Sequence, residues 1–264
     1  FSEIDVTDID IDIIKKVTIQ DLHSYISFVD KERKNSNYSK ARKVASLRSF
    51  FKYLNTKVKL IDENPAQDLE SPKIESRHPV YLTLDEAKKF LSSIDGQFKE
   101  RDYAIMTLFL NCGLRLSELV SIDIDKIRGD TLTVIGKGNK ERTVYLNEAC
   151  IKAIDDYIAV RPTDNLNDEE ALFISRNKNR LSPKAVQNAV KKYINKSGLD
   201  KEKFSPHKLR HTAATLMYKH GKVDIRALQQ ILGHENISTT QIYTHIDDER
   251  LRDAINSNPL SQLN

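Results

Sequence analysis

The chain has 264 residues and a mass of 30.3 kDa, with 39% hydrophobic and 30% charged residues and only 8 Gly and 7 Pro. That length gives one large or two ordinary domains, and that composition excludes collagen-like and low-complexity chains. Cys112 and Cys150 are too few for a disulfide framework and lack metal-ligand spacing; the first residues do not form a signal peptide, and no apolar run approaches the ~20 residues a bilayer requires, so the expectation is a cytoplasmic protein without membrane contact.

The net charge of +4 conceals an uneven distribution. Residues 1–30 hold seven acids (Glu3, Asp5, Asp8, Asp10, Asp12, Asp21, Asp30) against Lys15 and Lys16, whereas residues 31–59 hold ten bases against Glu32 alone. From charge alone the second stretch is either a solvated helix face or a surface for a polyanion. Periodicity favours the latter. Residues 39–54 read as a helix with Val44, Leu47, Phe51 and Leu54 as its apolar stripe. Its other face carries Tyr38, Arg42, Ala45, Ser46, Ser49 and Tyr53, flanked by Lys43, Arg48 and Lys52. Small side chains let a helix enter a major groove while flanking cations reach the phosphates, so Arg42, Lys43, Ser46, Arg48 and Lys52 are DNA-contact candidates.

Pro65, Pro72 and Pro79 then fall in a charged stretch with little apolar periodicity. The expected organisation is a helical domain over 1–72, a linker over 73–80 and a second domain over 81–264, mainly α with a small β-hairpin or sheet. The second domain opens with a Thr83/Glu86 capping box. Residues 101–112 read as a core helix ended by Gly113. Residues 131–135 and 141–146 read as a β-hairpin around GKGNK, and 147–160 as a helix. Ser182-Pro183 and Ser205-Pro206 read as N-cap and first position of two further helices. Gly233 is expected to end the helix that starts near Asp224, and Ser238 with Gln241 to cap another that carries Tyr243.

Five of the seven histidines lie between 207 and 245. His207 and His211 are spaced as zinc ligands can be, but Lys208 stands where the metalloprotease pattern needs Glu, and Arg210 disfavours a dication. Arg210 one turn from His207 suits a phosphate: the guanidinium holds two oxygens while the imidazole handles a proton. A helical Tyr is ordinarily packing. A phenol is only ~0.1% ionised at pH 7, so a nucleophilic Tyr243 needs cations and a proton acceptor, for which His207, Arg210 and His234 are candidates. The hairpin turn is not a P-loop, since Gly138 rather than Ser or Thr follows Lys137. Arg115 with Glu118, taken alone, is most simply a surface ion pair. Lys140 and Arg142 beside the turn, and Lys184, complete the set of expected DNA contacts.

In order, CGLRLSEL, VIGKGNKER, SPHKLRH and LGHENISTTQIYTH resemble the signature of the tyrosine site-specific recombinases, the phage-integrase family, and most closely its bacterial Xer-type members. The resemblance runs from about residue 18 to the C-terminus and implies a two-domain, C-shaped DNA clamp, with a helical core-binding domain and a mixed α/β catalytic domain. It implies that Tyr243 is the nucleophile, forming a 3′-phosphotyrosyl link, with Arg115 and Arg210 as phosphate clamps. Lys137 would be the general acid, His207 a general base or a hydrogen-bond donor to the phosphate, His234 a transition-state ligand and Glu118 a supporting carboxylate. No metal or other cofactor is implied. The partner would be a duplex recombination site, held by a homo-tetramer or by a hetero-tetramer with a related recombinase, in which the tail after Tyr243 passes to a neighbouring subunit. The resemblance also implies that a helix upstream of the matched region is missing from a chain that starts at Phe1. The alternatives are a type IB topoisomerase-like nicking and closing enzyme, and a non-catalytic DNA-binding accessory protein.

Overall fold

Apolar side chains at helical spacing, with hydroxyl and carboxylate side chains at the helix starts, account for most of the architecture. The computed structural model describes residues 5, 8–74, 80–136, 138, 140–221, 223–233 and 240. The chain divides into two compact units, 1–77 and 78–264.

The first unit contains α1 (Ile11–Lys15), α2 (Ile19–Lys31) and α3 (Asn37–Thr56). Thr18 caps α2 in a reciprocal box with Asp21, whose backbone and side-chain hydrogen bonds to Thr18 lower its carboxyl pKa. On α3, Ala41, Val44, Phe51 and Leu54 are buried, while Leu47 of the expected stripe is half-buried. Val44, Phe51 and Leu54 pack with Leu22 of α2 and with Ile61, Ala66 and Leu69 from the chain after α3, and Leu47 packs against this cluster.

The second unit contains α4 (Leu84–Ser92), α5 (Lys99–Cys112), α6 (Leu116–Val120), α7 (Glu148–Ile158), α8 (Pro183–Lys196), α9 (Pro206–His220) and α10 (Ile225–Leu232). Its strands β1 (Ile127–Arg128), β2 (Thr131–Ile135) and β3 (Glu141–Tyr145) form one antiparallel sheet in the order β1-β2-β3, so a short third strand joins the expected hairpin. Thr83 and Glu86 form the expected box. Ser182 accepts from Ala185 N, whereas Ser205 holds extended N-cap geometry without a side-chain cap bond. The helix read over 147–160 stops at Ile158, four residues before Pro162, which disfavours helical geometry just upstream of itself.

The central element is α5. Nine of its fourteen residues are buried, and it packs against both α7 and α9. Asp102, near its start, is one of the nine: it pairs with Arg101 at 2.8 Å and accepts the Tyr193 hydroxyl of α8 at 2.8 Å. Among the described residues no helix is long and apolar enough to cross a membrane.

Candidate active site

Gly113 ends α5 in the left-handed region (φ 60°), where a Cβ would come within 2.9 Å of Leu232 Cδ2. This close turn places Arg115 at the head of α6, where Glu118 Oε2 accepts from Arg115 N at 2.7 Å and Oε1 accepts from its Nη1 at 2.7 Å. The Arg115/Glu118 pair is therefore not a surface pair. Glu118 is only 1% exposed and also accepts from Arg142 Nη2 at 3.0 Å, with Arg210 Nη1 at 4.0 Å. Burial opposes its ionisation, but the hydrogen bonds from Arg115 and the charge and hydrogen bond of Arg142 prevail, and the carboxyl pKa lies below the ordinary value. Gly136 lies beside this carboxylate: a Cβ there would be 3.8 Å from Glu118 Oε1.

The first turn of α9 brings His207 and Arg210 to one side. Arg210 is 4% exposed; its Nη1 donates to Gly113 O at 2.5 Å and its Nη2 to Leu232 O at 2.6 Å. Arg115 Nη2 donates to Gly233 O at 2.8 Å. A guanidinium has five donors in a rigid plane, so carbonyl acceptors on two elements fix its orientation before any anion arrives. Arg115, His207 and Arg210 line one cleft of about 340 Å³ together with Ser117, Gln187 and Ser205. That cleft offers two held guanidiniums and an imidazole, and among the described residues no carboxylate lines it, an arrangement suited to an oxyanion.

His207 has an accessible ring, with Nε2 3.0 Å from His211 Nε2. One ring must donate and the other accept, so the contact requires at least one neutral imidazole. Partial burial, then the charges of Lys208 and Arg210, lower the His207 pKa and favour the proton-accepting form. Among the described residues no group of three or more His, Cys, Asp or Glu is placed to hold a metal. Lys137, His234 and Tyr243 lie outside the described residues.

Of the expected DNA contacts, Arg42, Ser46, Arg48 and Lys52 are exposed on α3 and Lys43 is half-buried. α3 contains no acidic residue, and none of its four named cations is in an ion pair among the described residues. Lys140 and Lys184 are also exposed. Arg142 is placed differently. Its guanidinium is engaged inside the protein, with Glu118 and with Ile231 O at 2.8 Å, and only 16% of the side chain is exposed. Strand alternation explains this, because Arg142 lies opposite Val134 and shares the inward parity of Val144. The same parity was available in the sequence as a signal. A larger cavity of about 630 Å³ opens in the first unit between residues 14–20 and 61–68. It contains none of the motif residues, and Asp62, Glu63 and Asp68 in its lining make it a poor anion site.

The phage integrase family model matches residues 80–250. The tyrosine recombinase XerC of Caldanaerobacter subterraneus subsp. tengcongensis is 63% identical over 262 residues, covering 99% of this chain and 74% of the relative. The crystal structure of XerA recombinase is 32% identical with a TM-score of 0.59, over 91% of this chain and 82% of that one. The post-cleavage complex of XerH site-specific recombinase with a palindromic difH substrate is 24% identical, a likeness of fold, with a TM-score of 0.76 over 92% of this chain and 73% of that one.

Proposed function

Because the chain belongs to the phage integrase family and is a tyrosine recombinase that carries out site-specific DNA recombination, we propose that the cleft of Arg115, His207 and Arg210 holds the scissile phosphate of a duplex recombination site. The observation that carries this is the pair of guanidiniums, each held on a backbone carbonyl and both lining the same cleft as His207. In this reading the Tyr243 Oη attacks phosphorus and its proton passes to His207. The bond from phosphorus to the 5′ oxygen breaks, and that oxygen takes a proton from Lys137. His234 and the arginines stabilise the charge of the pentavalent state. The products are a 3′-phosphotyrosyl link and a free 5′-hydroxyl. One ester replaces another, so a 5′-hydroxyl from a second duplex reverses the step and no nucleotide is consumed. The fixed cations supply the charge stabilisation that phosphoryl transfer requires.

The solved complex of XerH with its difH substrate supports DNA as the partner. The exchange of strands between two duplexes calls for four active sites, hence a tetramer on paired sites, and the protein is placed with its DNA in the cytoplasm. The test is covalent capture. The chain is incubated, without metal or nucleotide, with a pool of nicked duplexes of randomised sequence, and SDS-resistant adducts are recovered and sequenced. Adducts with a shared sequence are expected; adduct formation that required added metal or ATP would reject the reading.

The α3 face is the proposed groove contact. Arg42→Ala and Lys52→Ala each weaken binding to the captured site and lower the slope of log K against log salt by about 1, the effect of losing one phosphate contact. Filter binding across a salt series measures this, and unchanged slopes in both variants would move the DNA face elsewhere.

A further inference from the structure

The last turn of a helix leaves carbonyl oxygens without intrahelical donors and with negative partial charge. At the end of α10, the Gly233 N–H satisfies Gln229 and Gln230. The next three carbonyls in sequence are each taken by a different arginine: Ile231 O by Arg142, Leu232 O by Arg210 and Gly233 O by Arg115. These arginines come from β3, α9 and the head of α6, and all three converge on the buried Glu118. Two of them line the anion cleft, and Arg142 does not. Arg142 packs most closely on the helix end, since a Cβ on Gly233 would lie 2.9 Å from both its Cδ and its Nε. Gly233 itself has φ 62°, so the exit of the chain from α10 is a left-handed turn pressed against the Arg142 stem.

We propose that Arg142 is a positioning residue for strand cleavage: it clamps the end of α10 to Glu118 and thereby sets the point at which the chain leaves Gly233 toward His234 and Tyr243. This rests on the function proposed above and reassigns Arg142 from the DNA backbone to the protein interior. The fork geometry matters, because one Nη reaches the carbonyl and the other the carboxylate. A lysine ammonium is a point charge and retains the Glu118 attraction with a poorer grip on the helix end.

The experiment uses the full chain and a nicked duplex carrying the captured sequence. Single-turnover cleavage at saturating DNA, DNA affinity across a salt series, and thermal melting are measured for wild type, Arg142→Ala and Arg142→Lys. The expected result is a cleavage rate lowered about 10- to 100-fold in Arg142→Ala, an intermediate rate in Arg142→Lys, and in both an affinity within about twofold of wild type and a salt slope equal to that of wild type. A salt slope lowered by about 1 with full cleavage at saturation would restore Arg142 to the DNA backbone and overturn the proposal. A lowered melting temperature with full-rate cleavage would reduce it to a structural residue, which also overturns it. If Arg142→Ala does not fold, Arg142→Lys decides by the same measures. Wild type that forms no adduct removes the function reading and this one with it, whereas wild-type cleavage with full-rate variants removes this one alone.

Discussion

Replacing Tyr243 with Phe is expected to abolish covalent protein–DNA adducts on the nicked substrate, a loss of at least about 10⁴-fold, while leaving DNA affinity within about twofold. The substitution deletes one oxygen and keeps the ring, so any packing role survives and only the nucleophile is lost. The chain holds ten tyrosines, and the described ones show why the prediction is discriminating. Tyr193 is buried with its hydroxyl donating to Asp102; burial and that carboxylate raise its pKa, the wrong direction for a nucleophile. The Tyr157 oxygen accepts from Ile174 N, and burial raises its pKa too. Neither phenol lines the cleft that contains Arg115, His207 and Arg210. Peptide mapping of the wild-type adduct is expected to return the peptide containing Tyr243. Adducts of undiminished yield from Tyr243→Phe, attached at another residue, would sink the assignment.

The parts of the fold that depend on neighbours in sequence were readable before the structure, and the parts that depend on distant backbone were not. The core face of α3, the Thr83 box, the arrest of α5 at Gly113 and that of α10 at Gly233 all follow from spacing and capping chemistry within a few residues. The sequence motifs also singled out Arg115, Glu118, His207 and Arg210 as site candidates. Their acceptors were not legible: Arg210 finds Gly113 O 97 positions away, and Arg115 finds Gly233 O 118 positions away. A carbonyl carries no side-chain signature, so a sequence reveals the donor and not its acceptor. Glu118 is the instructive residue. Charge pairing at i, i+3 suggests a surface pair, yet the third and fourth contacts come from β3 and α9, and these turn it into a buried junction. At Arg142 two signals compete: a cation beside a basic turn suggests phosphate, while the period of the strand points it inward.

That junction gives the second large effect. Glu118→Gln keeps the size of the side chain but removes the negative charge from among Arg115, Arg142 and the buried Arg210. Removing one partner of a buried, hydrogen-bonded ion pair leaves an uncompensated charge and costs about 3–5 kcal/mol. For a unit of this size that is a fall in melting temperature of roughly 6–20 °C. Cleavage at saturating DNA is expected to fall as well, by about 10²-fold or more, because the guanidinium that clamps the phosphate and the one that grips the end of α10 lose the same anchor. The pH dependence has a definite sign. The folded pKa of Glu118 lies below its unfolded value, so the unfolded chain binds the proton more readily. The carboxylate therefore contributes its stability in full above the unfolded value, about pH 4.5, and loses it as pH falls through the lower folded pKa. Wild type and Glu118→Gln should then differ by a constant amount between pH 6 and pH 8, and the gap should close progressively below about pH 4.5. Denaturant melts across that range measure the gap directly. A gap that widened toward acid, or a Glu118→Gln variant as stable as wild type at pH 7, would mean that the three arginines are held by the α10 carbonyls and do not need the carboxylate.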